Sequence, residues 1–204
     1  MTKKARGIWR NVRMVVMAAA VLVGLIAGWA TGGVLSQVAN LRIRAWPALV
    51  AALALQGALG AAAGSCRTAL ALTACLAIAT WCAANFAHVG LRFGQVLIGT
   101  GVALNAMVMA LNGGMPVSAG ALATAGFPKT LDVAQGHLYK HTPMVVHTRL
   151  RLLGDIIPFH LAHMVLSPGD LLMLVGIAAV TFGATRPHGR PARSTGQIGQ
   201  SNAL

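Results

Sequence analysis

Long apolar runs, separated by short polar breaks, dominate the chain. Five of them come close to the roughly 20 residues that an α-helix needs to cross a bilayer. They cover residues 15–35, 46–63, 69–89, 96–111 and 167–184. This pattern predicts an all-α fold, an integral membrane helix bundle of about five transmembrane helices. The last helix is set apart from the others by a long connection, residues 112–166.

Composition supports a membrane protein rather than a water-soluble domain. Of the 204 residues, 56% are hydrophobic and only 9% are charged. A soluble domain carries roughly 25% charged residues, enough to cover its surface with polar groups. This chain has too few, so we expect lipid to be the solvent of its helices.

The charge is strongly positive, with 16 Lys and Arg against three Asp and no Glu. The basic residues lie between the apolar runs and in both tails, not on an amphipathic helix or in a nucleic-acid-binding motif. They therefore indicate topology signals and contact with anionic lipid, and no nucleic-acid partner. The positive-inside rule places the basic N-terminus, residues 1–14, in the cytoplasm. Residues 186–204 are predicted to form a disordered basic tail.

Glycines at four-residue spacing predict close helix packing. Gly24, Gly28 and Gly32 follow this spacing in the first run, and Gly60 and Gly64 repeat it at the end of the second. Small residues at this interval let membrane helices approach each other closely. The alternative is that the pattern reflects only an Ala- and Gly-rich composition.

Polar residues gather in the 112–166 connection, which contains two of the three acids and five of the seven histidines. Long connections between helices are usually functional or disordered. Apolar stretches within this one predict that part of it lies at the membrane interface or folds back against the bundle. It is the segment most expected to carry function.

Three motifs in this region are distinctive: NGGMPVS at 112–118, TRLRLLGDIIP at 148–158, and SPGD at 167–170. In their order, they make the chain similar to an uncharacterised family of bacterial multi-pass membrane proteins, a domain of unknown function. The resemblance implies a protein of the bacterial plasma membrane with several helices. It implies no activity.

The SPGD motif predicts the start of the last helix. Ser167 is expected to be the N-cap, and Asp170 to face the free N–H groups of the first turn. The functional alternative for Asp170 is a carboxylate that handles ions or protons near the membrane.

Asp155 is the stronger candidate for a site because it lies between apolar residues. A carboxylate in such surroundings needs a partner, and Arg149 and Arg151 are the obvious ones. One interpretation is a Gly-Asp turn held by a salt bridge. The other is a polar site for a lipid headgroup or small ligand, for which the candidate residues are Asn112, Arg149, Arg151, Asp155 and Asp170.

The histidines and cysteines do not make a convincing metal site. His160 and His163 are three residues apart, and His137 and His141 are four apart, but the chain has no HExxH motif and no nearby cysteine. We therefore predict no metal and no cofactor.

These features favour a non-enzymatic accessory or small-ligand-binding membrane protein. Its expected partners are the lipid bilayer and either another membrane protein or a second copy of the chain. The first alternative is a small transporter or ion-handling protein that uses Asp155 and Asp170. The second is a membrane enzyme acting on lipid, with Asp and His as general acid and base.

Overall fold

The computed structural model describes residues 3–41, 43–59, 65–127 and 141–187. Five longer helices in these ranges form the body of the protein: α1 (Lys3–Ala30), α3 (Trp46–Ala58), α4 (Ser65–Asn85), α5 (Arg92–Asn112) and α7 (Pro168–Ala184). Two shorter helices lie in the connections: α2 (Ser36–Ala39) and α6 (Ala119–Thr124). The described part is mostly helical, as predicted.

The longer helices pack in the order α1, α7, α5, α4, α3, so the last helix of the chain lies between the first and α5. A buried cluster of Trp81, Cys82, Ile98 and Val102 joins α4 to α5, with further apolar side chains of α3 and α7 packed against it.

The two predicted tails lie only partly within the described ranges. Residues 188–204 of the C-terminal tail lie outside the described ranges.

Hydrogen bonds between helix ends show how the helices run. Thr68, near the start of α4, donates its hydroxyl to the carbonyl of Gly113, just after α5. Arg186, just after α7, donates to the carbonyl of Thr31, just after α1. The end of α5 and the start of α4 therefore lie at one end of the bundle, which we call the connection end. α7 also begins there, since Asp170 in its first turn is hydrogen bonded to Asn105 in the second half of α5. The ends of α1 and α7 lie at the opposite end.

Two segments are long and apolar enough to cross a membrane, judged by length and composition: Cys66–Asn85 and Val89–Asn112. The other apolar helical segments in the described ranges are shorter, namely Met14–Ala30, Trp46–Ala58 and Pro168–Ala184. The prediction of five spans thus exceeds what helix length supports, because apolar runs of the sequence include turn residues beyond the helix ends.

The all-α prediction is wrong in the 112–166 connection, which contains four short strands. They are β1 (Met115–Val117), β2 (His141–Pro143), β3 (Ile157–Phe159) and β4 (Met164–Leu166). β1 pairs with β2 in parallel, and β3 pairs with β4 antiparallel. Pro116, Pro143 and Pro158 occupy three of these strands and disfavour a helix interior there, so the buried backbone is paired between strands instead.

β1 also pairs on its other side with the segment around Asp155. The Asp155 N–H donates to the carbonyl of Pro116 at 2.8 Å, and the Ser118 N–H donates to the carbonyl of Asp155 at 3.0 Å. Val117 packs with Ala121, Leu122, Ala125 and Val165 in a buried cluster. The described residues 113–127 and 141–167 therefore form a folded unit at the connection end, which we call the cap.

Two of the predicted packing glycines contact a neighbouring helix. A Cβ atom on Gly24 would overlap the Thr181 hydroxyl and the carbonyl of Ala178 in α7, and one on Gly28 would overlap Thr185. α1 therefore approaches α7 so closely that only glycine fits at these two positions.

Gly32 does not pack in this way. It follows the end of α1 at Ala30, has a φ of +87° and has open space around its Cα atom. Gly33 contacts Thr185 instead, because the chain turns after the helix and leaves the four-residue register. Gly60 and Gly64 lie outside the described residues.

The closest helix approach was not predicted. Glycines face each other between the α5 region and α7 in three pairs: Gly90 with Gly183, Gly94 with Gly176, and Gly101 with Gly169. In each pair, a Cβ on one glycine would overlap the carbonyl oxygen of the other. The signal in the sequence is a spacing of seven residues between the glycines of α7, matched by spacings of four and then seven on the α5 side, which places small residues on one face of each helix.

Candidate functional site

Asp155 is the one acidic residue in the described ranges of the cap, and it is 2% exposed. Its Oδ2 atom lies 2.9 Å from Nδ1 of His141. β1 brings the two residues together, because it pairs with β2 on one side and with Asp155 on the other. The cap is therefore built around a buried Asp-His pair.

The prediction that an arginine pairs with Asp155 is wrong. Within the described ranges, neither Arg149 nor Arg151 forms an ion pair, and both side chains are exposed. Leu150 between them has a left-handed φ of +53°, and a single 3₁₀ turn follows at Arg151–Leu153. This turn holds both long side chains outside the cap, while the smaller imidazole of His141 enters it.

Asn112 and Arg149 are brought together, but through the backbone of the arginine. The Arg149 N–H donates to Oδ1 of Asn112 at 2.9 Å, and Nδ2 of Asn112 donates to the Arg149 carbonyl at 3.0 Å. The amide of the last residue of α5 thus binds the chain where it returns from the cap. Four of the five candidate residues, Asn112, Arg149, Arg151 and Asp155, lie in or beside the cap.

Asp170 lies apart from them in a network that joins α5 to α7. With Ser167 it forms the predicted capping box at the start of α7. The Asp170 N–H donates to the Ser167 hydroxyl at 3.0 Å, and Oδ2 of Asp170 accepts from the Ser167 N–H at 3.2 Å. Oδ1 of Asp170 accepts from Nδ2 of Asn105 at 2.8 Å. The Ser167 hydroxyl donates to Oδ1 of Asn105 at 2.8 Å. Both oxygens of this carboxylate are therefore used to fasten the two helices.

Two further histidines of the cap, His160 and His163, lie close to each other. The rings of His160 and His163 are 5.6 Å apart, and Nδ1 of His163 lies 3.0 Å from the carbonyl of Ala125. Among the described residues, no three His, Cys, Asp or Glu side chains converge in a group that could hold a metal ion. His137 lies outside the described ranges.

Sequence reasoning did not predict the surroundings of two residues. One is His141, whose place beside Asp155 depends on strand pairing and not on a fixed spacing. The other is Gln95 in α5, which is buried and whose two amide atoms form no hydrogen bond with the described chain. A glutamine directly before the apolar run 96–111 was the signal available for it, because buried amides normally find partners.

Comparison with known proteins identifies a family and nothing more specific. No curated protein and no solved structure matches the chain. A family model described as a family of unknown function, DUF5317, matches residues 40–182, from just before α3 to near the end of α7. The match covers more than half of the chain and includes the whole cap. The chain therefore belongs to the DUF5317 family.

Proposed function

We propose that the chain is an integral membrane protein with five helical spans, which presents the cap at one membrane face and acts as a non-enzymatic accessory or small-ligand-binding protein. The main observation is an inverted distribution of side chains. Large apolar side chains point outward along the helices, among them Leu22, Ile26, Leu53, Leu76, Phe93 and Val175. Polar Asn85, Gln95 and Asn105 are buried between helices. Such a surface is stable in lipid and prone to aggregate in water.

The direction of the helices supports five spans even where single helices are short. α1, α3, α4, α5 and α7 each run once between the connection end and the opposite end. The 17 residues of α7 rise about 26 Å, which a slightly thinned bilayer accommodates. The N-terminus and the cap then share one side, and the positive-inside rule makes this the cytoplasmic face of a bacterial plasma membrane.

Burial of the polar groups supports a role without catalysis. Asn105 and Asp170 are used in contacts between helices, and both side chains of the His141–Asp155 pair are almost fully shielded from solvent. These groups stabilise the cap and bundle. The accessible features of the cap are exposed apolar and basic side chains, which suit recognition of a membrane protein, a second copy or a ligand.

Cysteine labelling in oriented vesicles tests the topology. Cys66 is exposed at the connection end, and Ser36 is exposed at the opposite end. A membrane-impermeant maleimide should label Cys66 only from the cytoplasmic side. It should label a Ser36→Cys variant, made with Cys66→Ser, only from the outside. Labelling of both positions from one side would overturn the five-span topology.

Co-purification tests the accessory role. The full chain is isolated in mild detergent, and proteins that accompany it are quantified by mass spectrometry. A stoichiometric partner should be retained by Val38→Asp at the opposite end and lost with Leu161→Asp, because Leu161 at the tip of the cap is 89% exposed. Absence of any stoichiometric protein or small molecule from the wild-type sample would contradict the role.

One observation favours a second candidate, a membrane enzyme acting on lipid. The 2.9 Å contact between His141 and Asp155 is the geometry of a general acid–base pair. An enzyme would convert added lipid in a purified preparation, and Asp155→Asn would abolish the conversion while leaving the chain folded. No conversion by the wild type would remove this candidate.

A further inference from the structure

We propose that residues 145–152, which we call the arginine loop, bind the headgroups of anionic phospholipids at the cytoplasmic surface. The inference rests on the proposed membrane placement of the bundle and adds a lipid specificity to it. The arginine loop combines four exposed apolar side chains with two exposed arginines: Val145, Val146, Leu150, Leu152, Arg149 and Arg151.

The position of the loop follows from how it is held. Asn112 binds the backbone of Arg149 at the last residue of α5. Leu153, the residue after the loop, packs against the buried cluster of Leu59, Met109 and Met115 at the ends of α3 and α5. The loop therefore lies at the level of the helix ends, where a bilayer around the helices has its headgroups.

The apolar side chains of the loop are unusually exposed for this position. Val146 is 83% exposed and Leu152 is 78% exposed. Val146 lies in a turn in which the Val145 N–H donates to the Thr148 hydroxyl at 2.8 Å, and Leu152 lies in the 3₁₀ turn Arg151–Leu153. An ordered turn with outward Val and Leu side chains suits insertion into the boundary between headgroups and acyl chains.

Charge decides which lipid the loop fits. Arg149 and Arg151 make no ion pair within the described ranges. Two of the three carboxylates in the chain are engaged elsewhere, Asp155 with His141 and Asp170 with Asn105. Guanidinium groups bind phosphate oxygens in a bidentate manner, so the arginines complement the phosphate of a lipid headgroup. A lipid with net negative charge is favoured over a zwitterionic one, because a choline group would add like charge.

Fluorescence quenching by brominated lipids tests the proposal on the full chain. Cys66, Cys75 and Cys82 are replaced by alanine, and a fluorophore is attached to a Leu152→Cys variant reconstituted in vesicles. Brominated phosphatidylglycerol should quench it in preference to brominated phosphatidylcholine. The preference should fall by about five-fold or more with Arg149→Gln/Arg151→Gln, since each basic residue near the surface strengthens anionic binding by about that factor.

Two controls separate the lipid inference from the membrane placement. Arg44→Gln, at the opposite end, makes the same kind of change in an exposed arginine that is also held through its backbone, and should leave the preference at residue 152 unchanged. A fluorophore at Leu53→Cys, on the outside of α3, should be quenched by both lipids alike.

Equal quenching of residue 152 by the two lipids, or none, with normal quenching at residue 53 would overturn the lipid inference alone. Absence of quenching at residue 53 would overturn the membrane placement, and the lipid inference with it.

Discussion

The side-chain amide of Asn112 is hydrogen bonded to both backbone polar groups of Arg149. Asn85 holds the backbone of Arg44 in the same way, with both bonds at 2.8 Å. Each asparagine is the last residue of its helix, α5 or α4, and each also donates to the carbonyl four residues earlier. An amide side chain can donate and accept like a peptide group, so it can hydrogen bond to the backbone of another segment. These two asparagines therefore attach the chain at Arg149 and at Arg44 to opposite ends of the bundle.

Replacement of Asn112 by alanine should loosen the arginine loop. Two hydrogen bonds to the Arg149 backbone are lost, each contributing about 1 kcal/mol net. We expect amide hydrogen exchange at residues 149–154 to rise by about 30-fold, which corresponds to roughly 2 kcal/mol. The matched variant Asn85→Ala should accelerate exchange at Arg44 and not at Arg149. Unchanged exchange at Arg149 in Asn112→Ala would show that the cap holds the loop without this contact.

The network of Asn105, Ser167 and Asp170 should behave as a unit. Asn105→Leu leaves the Ser167 hydroxyl and one Asp170 oxygen without their partner and should destabilise the protein by about 1–3 kcal/mol. Ser167→Ala removes the helix N-cap and should cost about 1 kcal/mol. Because the two residues share a hydrogen bond, the double variant should lose less than the sum, with a coupling of at least about 0.5 kcal/mol. Unfolding in mixed detergent micelles measures all three, and strict additivity would contradict the network.

Glycines of α5 should differ sharply in their tolerance of a methyl group. Gly101→Ala places a Cβ against the carbonyl of Gly169 and should destabilise the α5–α7 contact by about 1–3 kcal/mol. Gly99→Ala, two residues earlier, points into open space and should be neutral or stabilise the helix by up to about 1 kcal/mol. The comparison uses thermal unfolding followed by circular dichroism. Equal melting temperatures would mean that α5 and α7 do not approach as closely as described.

Loss of one member of the His141–Asp155 pair should harm the cap more than loss of both. His141→Ala leaves a buried carboxylate without its partner, for which a penalty of about 3 kcal/mol is typical. The double variant His141→Leu/Asp155→Leu replaces the pair with apolar groups and should recover part of this loss. Limited proteolysis within residues 141–167 reports on the cap separately from the helices. Faster cleavage of the double variant than of His141→Ala would contradict the idea that each side chain offsets the cost of burying the other.

Local patterns accounted for the features that depend on neighbours in sequence. Apolar runs mark the helices because burial or lipid contact requires continuous apolar residues. The N-terminal capping box of α7 follows from the four consecutive residues 167–170, since such a box is formed within one turn. Helix ends were harder to place. Gly32 has the right spacing for packing, but α1 ends at Ala30, and Gly33 instead of Gly32 lies against Thr185 of the α7 end.

Composition and local pattern are enough to show that the chain is mostly helical, strongly apolar, and polar chiefly in one long connection. What that connection becomes depends on contacts between distant parts of the chain. Its strands are three residues long, and a strand this short exists only through a partner from elsewhere in the chain. The same pairing, invisible in residue spacing, selected His141 rather than an arginine as the neighbour of Asp155. The side chains of Arg149 and Arg151 stay exposed at the end of the bundle, because the fold binds the backbone of this segment and not the guanidinium groups.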